Sequence, residues 1–229
     1  MRIERRSFLK SGAAFLGSGM LLNCLAVPAT AAENPTAPDG NIWEIFRKRR
    51  SVRKYRPDPI PEADIVRILD AARTPPSSGN EQPWKFLVIR DRDKILRMKE
   101  GCVQGALERF DSRGDKTTTR EEYERSARNQ LGNYFSAPVY IVVLTDNTYP
   151  AYHHWDGPMA AGYLMLAARA LGYGTVFITD SIPDSVTKEV LRIPDNYTRV
   201  CITPLGVPVE WPESPPKKKL EEFIAYESL

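Results

Sequence analysis

The sequence predicts a fold of mixed helix and strand, in which helices cover both faces of a central sheet. Helical and strand-like patterns alternate along the chain. Residues 138–144 form a continuous apolar run, which is typical of a buried central strand. Residues 157–171 are rich in Ala, Leu and Met, which indicates a core helix that is too short to span a membrane.

Length and composition favour a single globular domain. The chain has 229 residues, of which 42% are hydrophobic and 27% charged, so it can bury a sizeable core. Three cysteines without a CxxC pair exclude a disulfide scaffold and a structural zinc ribbon. The two histidines, His153 and His154, are adjacent and offer little for a metal site, so no metal is predicted.

The first 31 residues have the pattern of an export signal. The Arg5–Arg6 pair precedes Phe-Leu-Lys, an apolar stretch follows over residues 12–27, and small residues end the segment. This order resembles a twin-arginine signal, with cleavage near Ala31 and a periplasmic destination. One alternative is an uncleaved helix that anchors the protein to the membrane. Another is lipidation at Cys24, but Asn23 is the wrong residue before such a cysteine.

The net charge of +3 comes from this signal, because residues 1–31 themselves carry a net charge of +3. The rest of the chain has no net charge and gives no electrostatic support for binding nucleic acid. Whether Cys102 and Cys201 pair in an oxidising compartment is left open at this stage.

The elements follow in order after a Pro-rich linker at residues 32–40. Asn41 is expected to cap a helix that begins at Ile42, and a basic run ends at Tyr55 before two prolines. Residues 62–72 predict an amphipathic helix with Ile65, Ile68, Leu69 and Ala72 on one face. Further strands are predicted at 84–89, 138–144, 175–178 and 200–206. Further helices are predicted at 93–104, 157–171 and 183–191. Residues 112–128 are expected to form an exposed, mobile helix-loop region, and an extended tail is expected from residue 212.

Three segments carry side chains suited to a phosphorylated heterocycle. Arg49, Arg50 and Arg53, with Ser51 among them, are the donors that bind phosphate, although cations also favour a solvated helix end. The loop at residues 77–82 offers hydroxyl and amide groups, although it is also compatible with a plain turn. Lys217–Lys219 suit a phosphate or a solvated tail.

In their order along the chain, these segments resemble the nitroreductase family of flavin enzymes. The resemblance rests on Arg49–Tyr55 and on Pro75–Trp84, and it continues through Leu166–Thr175 and Pro204–Pro208. It covers about residues 42–226, so the domain is expected to occupy residues 41–229. The family implies an α+β sandwich with a central mixed sheet flanked by helices, in an intertwined homodimer.

The resemblance also implies the cofactor site, which would hold FMN. Arg49, Ser51 and Arg53 would bind the phosphate and ribityl chain, Arg50 would contribute through its backbone, and Lys217 would complete the phosphate site. Four polar residues of the other subunit, Ser77, Ser78, Asn80 and Gln82, would reach the isoalloxazine and ribityl chain. Thr179 and Asp180 would lie near flavin N5 and O4, where many relatives have a glycine pair.

The implied activity is FMN-dependent reduction of nitroaromatics, quinones or similar small acceptors. Reductive dehalogenation, flavin processing and a non-catalytic flavin or electron carrier stay open as alternatives. No catalytic acid or base is assigned, and His153, His154 and Trp155 are weak candidates for substrate contact. NAD(P)H is a candidate donor in vitro, whereas an exported protein would need another donor, such as a membrane quinol or a redox partner. Substrate and donor are not determined by the sequence.

Overall fold

The computed structural model describes residues 41–113, 117–149, 152–179 and 181–228. The predicted signal at 1–31, the linker at 32–40, Cys24 and Asp180 lie outside the described residues. Within the described part, the chain forms six α-helices, four strands and two short 3₁₀ turns. The helices are α1 (Ile42–Lys48), α2 (Glu62–Ala72), α3 (Arg92–Asp111), α4 (Arg120–Tyr134), α5 (His153–Ala170) and α6 (Asp184–Leu191), and the strands are β1 (Trp84–Ile89), β2 (Val139–Asp146), β3 (Gly174–Thr175) and β4 (Tyr197–Gly206).

The four strands make one sheet in the order β1-β2-β4-β3, and each neighbouring pair is antiparallel. Parallel pairing, which a mixed sheet requires, is confined in the described residues to an isolated bridge between Ser51 and Thr175. The α+β architecture with helices on both faces of a central sheet is confirmed.

Strand β2 divides the hydrophobic core into two parts, because its side chains alternate between the two faces of the sheet. Tyr140, Val142 and Leu144 pack with α3, α4 and α6, in what we call the α3-side core. Val139, Ile141 and Val143 pack with α2 and α5, in the α5-side core. Every residue from Val139 to Thr145 is buried, as predicted for a central strand.

The predicted amphipathic helix at 62–72 is confirmed, with Ile65, Ile68 and Ala72 buried. Helix α5 differs from its prediction. It begins earlier, at His153, and only one of its faces is buried. Trp155, Met159 and Tyr163, spaced by four residues, form an exposed stripe on another face of the helix.

Two other segments also differ from the sequence prediction. The polar segment at 112–128 contains the start of a regular helix, α4, whose N-terminus is fixed by a capping box between Thr119 and Glu122. Ala127 and Leu131 of this helix are buried. The predicted strand at 175–178 is paired only at Gly174–Thr175 and again at Ile178, which bridges to Ile202.

The two cysteines of the domain lie on opposite sides of the sheet. Cys102 belongs to the α3-side core and Cys201 to the α5-side core, and both are free thiols. A disulfide between them would have to pass through the sheet, so the pairing that the sequence left open does not form. Among the described residues, no helix is long and apolar enough to cross a membrane.

Candidate functional site

A cavity of about 640 Å³ lies between the basic run after α1 and the C-terminal tail. The charged side chains around it are cationic, except for Glu213, which is the one carboxylate in the lining. Five residues proposed from the sequence meet here, although the tail is more than 150 residues away along the chain. The lining consists of Phe46, Arg47, Arg49, Arg50, Ser51, Arg53, Pro212, Glu213, Ser214, Pro215 and Lys217.

Two buried residues fix the basic run in place. Helix α1 ends at Lys48, and Arg49 continues in an extended conformation. Val52 is 1% exposed and donates its backbone N–H to the Thr175 carbonyl at 2.9 Å. Tyr55 is also buried, and its hydroxyl donates to the Val52 carbonyl. Because Val52 and Tyr55 occupy the core, Arg49, Arg50, Ser51 and Arg53 are left on the side of the cavity.

Gly174 is what allows Val52 to lie so close to the sheet. A Cβ atom at Gly174 would lie 2.7 Å from the Val52 Cβ and 2.9 Å from the Pro208 Cγ, closer than side-chain atoms pack. The glycine turn after α5 therefore has two functions. Gly172 has a φ of +83°, which reverses the chain, and Gly174 admits the basic run.

The opposite wall of the cavity is set by the start of the tail. The backbone of Val209 donates to the Lys54 carbonyl at 3.2 Å, so the tail begins beside the basic run. Trp211 then lies under the Arg169 guanidinium of α5, with 3.8 Å between the guanidinium carbon and the ring centroid. These contacts direct Pro212–Lys217 over the cavity.

The guanidinium groups differ in how far they are already engaged. Arg50 donates to the carbonyls of Arg47 and Arg49, the latter at 2.8 Å, and so folds back on its own backbone. Arg53 donates to the Ser51 carbonyl at 3.3 Å, which uses one of its donors. Each guanidinium has five N–H groups, so Arg53 keeps donors for a ligand.

The loop at residues 77–82 lies elsewhere, and none of its residues lines this cavity in the described chain. Its backbone is unusual, since Gly79, Asn80 and Gln82 all have positive φ angles. The Gln82 N–H donates to the Ser77 hydroxyl at 3.0 Å, and the Gln82 side chain donates to the Asn80 carbonyl at 3.2 Å. The loop is thus shaped by its own polar side chains.

Asp156 connects this loop to α5, a contact that the sequence analysis missed. The side chain is buried, and its Oδ2 accepts the Ser78 N–H at 3.4 Å. A carboxylate within a helix rich in Ala and Leu was the only signal in the sequence that could have found it.

The remaining proposed residues have separate surroundings. Thr179 is exposed, and its carbonyl accepts from Arg199 Nη2 at 3.1 Å. His153 begins α5, with its Nδ1 3.2 Å from the Thr145 hydroxyl, while His154 and Trp155 are exposed on the same turn. The described residues contain no group of three or more His, Cys, Asp or Glu side chains placed to hold a metal ion.

The comparisons with known proteins agree on one family. The family model for the nitroreductase family matches residues 46–207. A 5,6-dimethylbenzimidazole synthase from Rhodospirillum rubrum is 30% identical over 188 residues, which cover 77% of this chain and 86% of the relative. An iodotyrosine deiodinase from Thermotoga neapolitana is 25% identical over 181 residues, covering 73% and 88% of the two chains.

The fold is also similar to that of a solved structure. An FMN-dependent nitroreductase from Clostridium difficile superposes with a TM-score of 0.62 at 25% identity, over 82% of this chain and 99% of the other.

Proposed function

Because the chain belongs to the nitroreductase family, we propose that it is an FMN-dependent oxidoreductase that reduces nitroaromatics, quinones or similar small acceptors. The observation that carries this proposal is the cavity between the basic run and the tail, where four arginines and Lys217 surround a space of about 640 Å³. A cluster of cations with only Glu213 among them is suited to a dianionic phosphate.

The donors of the cavity match the phosphate and ribityl end of FMN. Arg49, Ser51 and Arg53 would hold the phosphate, with Lys217 closing the site from the tail. Nη1 of Arg50 donates to two carbonyls of its own run, which holds this side chain against the backbone, and we propose that Arg50 contributes to the site through its backbone. Lys217 acts as a point charge, whereas an arginine would bind in a fork.

Bound FMN would supply hydride and electron transfer at N5, and the protein would supply binding and orientation. The loop at 77–82, held in an unusual conformation by its internal hydrogen bonds, would present Ser77, Ser78, Asn80 and Gln82 to the flavin. Thr179 and Asp180 would lie beside N5 and O4. No side chain is assigned as a catalytic acid or base.

We further propose that the protein is a homodimer in which each cofactor site is completed by the other subunit. The loop at 77–82 does not line the cation-rich cavity of its own chain, which fits a site whose two parts come from different subunits. The exposed stripe of Trp155, Met159 and Tyr163 supports this, as do Trp43 and Phe46 on α1, a helix without a buried residue. Such surfaces are typical of interfaces.

The names of two relatives indicate two further candidate activities for this chain. One relative is named for the synthesis of 5,6-dimethylbenzimidazole and another for the deiodination of iodotyrosine, at identities of 30% and 25%. Flavin processing and reductive dehalogenation are therefore the second candidate functions. A flavin-binding electron carrier without its own substrate is the alternative outside these enzyme classes.

We also propose that residues 1–31 export the protein through the twin-arginine pathway. The sequence pattern supports this, and an exported enzyme would draw electrons from a membrane quinol or a redox partner, with NAD(P)H serving as a donor in vitro. Cell fractionation of the full chain and of a variant with both Arg5 and Arg6 changed to Lys tests the proposal. The wild type should leave the cytoplasm and the variant should stay, whereas an identical distribution would contradict export.

The activity is tested by purifying the full chain, releasing its cofactor by denaturation and assaying turnover. FMN release together with reduction of a nitroaromatic or a quinone supports the proposal. FMN release with turnover of iodotyrosine alone, or with formation of dimethylbenzimidazole alone, selects a second candidate. Bound FMN with no turnover of any of these supports the carrier, and a protein that binds no FMN contradicts the whole proposal.

A further inference from the structure

We propose that Arg199 is a positioning residue, which holds Thr179 in place for the flavin through a clamp between β4, Thr179 and the first residue of α6. The inference rests on the proposed function, because it concerns how the backbone at Thr179 meets a bound flavin. Its physical basis is one guanidinium that donates a hydrogen bond to one end of a segment and forms an ion pair with the other end.

A break in the strand register determines where Arg199 points. Opposite β2, Cys201 pairs with Val143, but Arg199 pairs with Leu144, so β4 contains one extra residue, Val200. Such a β-bulge changes the face of the sheet toward which the neighbouring side chains point. In a regular strand Arg199 and Cys201 would share a face, whereas here Cys201 lies in the α5-side core and Arg199 faces the α3 side, opposite Leu144.

On that face, Arg199 reaches both ends of the segment that connects the sheet to α6. Its Nη2 donates to the Thr179 carbonyl at 3.1 Å, and its Nε lies 2.8 Å from Oδ1 of Asp184. Just before Thr179, Ile178 exchanges two backbone hydrogen bonds with Ile202 of the same strand. Thr179 is therefore tied to β4 through its own carbonyl and through its neighbour.

The clamp is made by the charged guanidinium of Arg199, and burying such a group costs free energy. The Arg199 side chain is only 10% exposed, and its Nη1 is buried with no hydrogen-bond partner among the described residues. Burying a guanidinium with an unsatisfied donor is unfavourable, and an apolar residue would fill the same space at lower cost. Within the described part of the chain, the hydrogen bond and the ion pair of the Arg199 side chain both end on the Thr179–Asp184 connection, so fixing that connection is the function we assign to it.

Four proteins test the clamp: the wild-type chain, Arg199→Met, Arg199→Lys and Asp184→Asn. Met keeps most of the side-chain volume without the donors, and Lys keeps the charge with a single donor group. Asp184→Asn weakens only the α6 end and is the matched control for loss of the ion pair. Hydrogen exchange of the peptide containing Ile178 and Thr179 is measured without flavin. The FMN dissociation constant, the flavin absorption spectrum and midpoint potential, and kcat and KM are measured with it.

The clamp predicts faster exchange at Ile178 and Thr179 in Arg199→Met and a partial effect in Arg199→Lys. With FMN bound, the spectrum and potential should shift and kcat should fall about tenfold, while FMN affinity changes little because neither Arg199 nor Thr179 lines the proposed phosphate site. Asp184→Asn should shift the flavin signals less than Arg199→Met does, because it leaves the hydrogen bond to the Thr179 carbonyl in place.

Two results would overturn the inference while leaving the proposed function intact. Unchanged exchange in a folded Arg199→Met or Arg199→Lys variant would show that no clamp exists. Faster exchange with an unchanged flavin spectrum, potential and kcat would show that Arg199 is only structural. A wild-type chain that binds no FMN would overturn the proposed function and the inference together.

Discussion

At the scale of single residues, the cavity depends on two sets of residues in the basic run, one buried in the core and one facing the cavity. Val52 and Tyr55 are buried, and Arg49, Ser51 and Arg53 are left facing the cavity. Burial also raises the pKa of Tyr55, so its hydroxyl stays protonated and continues to donate to the Val52 carbonyl at any physiological pH. Val52 and Tyr55 thus hold the backbone in place, and the guanidinium groups of Arg49 and Arg53 can bind a ligand in the cavity.

Replacing Arg49 or Arg53 by Ala should therefore weaken FMN binding without unfolding the protein. Each change removes one charge-assisted contact, worth about 1.5–3 kcal/mol, so the dissociation constant should rise roughly 10- to 100-fold. Titration of the flavin-free protein measures this. Lys54→Ala is the matched control, because Lys54 carries the same charge in the same run but does not line the cavity. Equal effects of all three substitutions would point to general electrostatics instead of specific contacts.

At the scale of elements, the site depends on how closely the basic run approaches the sheet beside β3. Gly174→Ala would place a methyl group 2.7 Å from the Val52 Cβ, so the run must shift away from the sheet. We expect weaker FMN binding and a lower melting temperature, although no cation has been removed. Gly132→Ala in α4 is the control, since a Cβ there meets no atom within 4 Å and alanine favours the helix. Wild-type affinity and melting temperature in Gly174→Ala would contradict this explanation.

The elements also show what the sequence could and could not predict. The helix at 62–72 and the strand at 138–144 have clear periodicity, and both are confirmed. The motif order predicted a common site for the basic run and the tail, and these two segments line one cavity. The bulge at Val200 and the contact between Asp156 and Ser78 depend on partners far away in the chain, and local pattern carries no signal for them.

At the scale of the whole molecule, the exposed stripe on α5 is the main difference from the sequence prediction. Residues 157–171 are apolar nearly all round, which predicts burial, yet Met159 and Tyr163 in this range are each 41% exposed. A second subunit would resolve the difference by covering that face. The sequence shows that this helix is apolar, but it does not show whether the same chain or a second subunit covers a given face.

The proposed homodimer can be tested with Trp155→Glu, which replaces the most exposed side chain of the stripe, at its N-terminal end, with a charge. We expect a shift from dimer to monomer in light scattering, together with loss of FMN, because each site would lose the other subunit's loop. Leu96→Glu is the control, since Leu96 is an exposed apolar residue of α3, away from the stripe. A wild-type chain that is monomeric at the concentrations where it binds FMN would exclude the shared site.

The pH dependence of stability should report the two buried thiols. Burial raises the pKa of both Cys102 and Cys201 from 9.0 to about 12. Between these values the unfolded chain loses a proton from each thiol and the folded chain does not, so the free energy of unfolding falls as pH rises. The stability is fully present below about pH 9. A Cys102→Ala, Cys201→Ala double variant should lose stability less steeply from pH 9 to 12 in urea titrations, and parallel curves would contradict the burial argument.

The most direct test of the cation-rich cavity as a phosphate site is to titrate the flavin-free protein with FMN and with riboflavin. The two ligands share the isoalloxazine and ribityl chain and differ only in the phosphate. If Arg49, Ser51, Arg53 and Lys217 hold that group, FMN should bind at least roughly 100-fold more tightly. The preference should shrink in Arg49→Ala and Arg53→Ala. Equal affinity for the two ligands would contradict a phosphate site in this cavity.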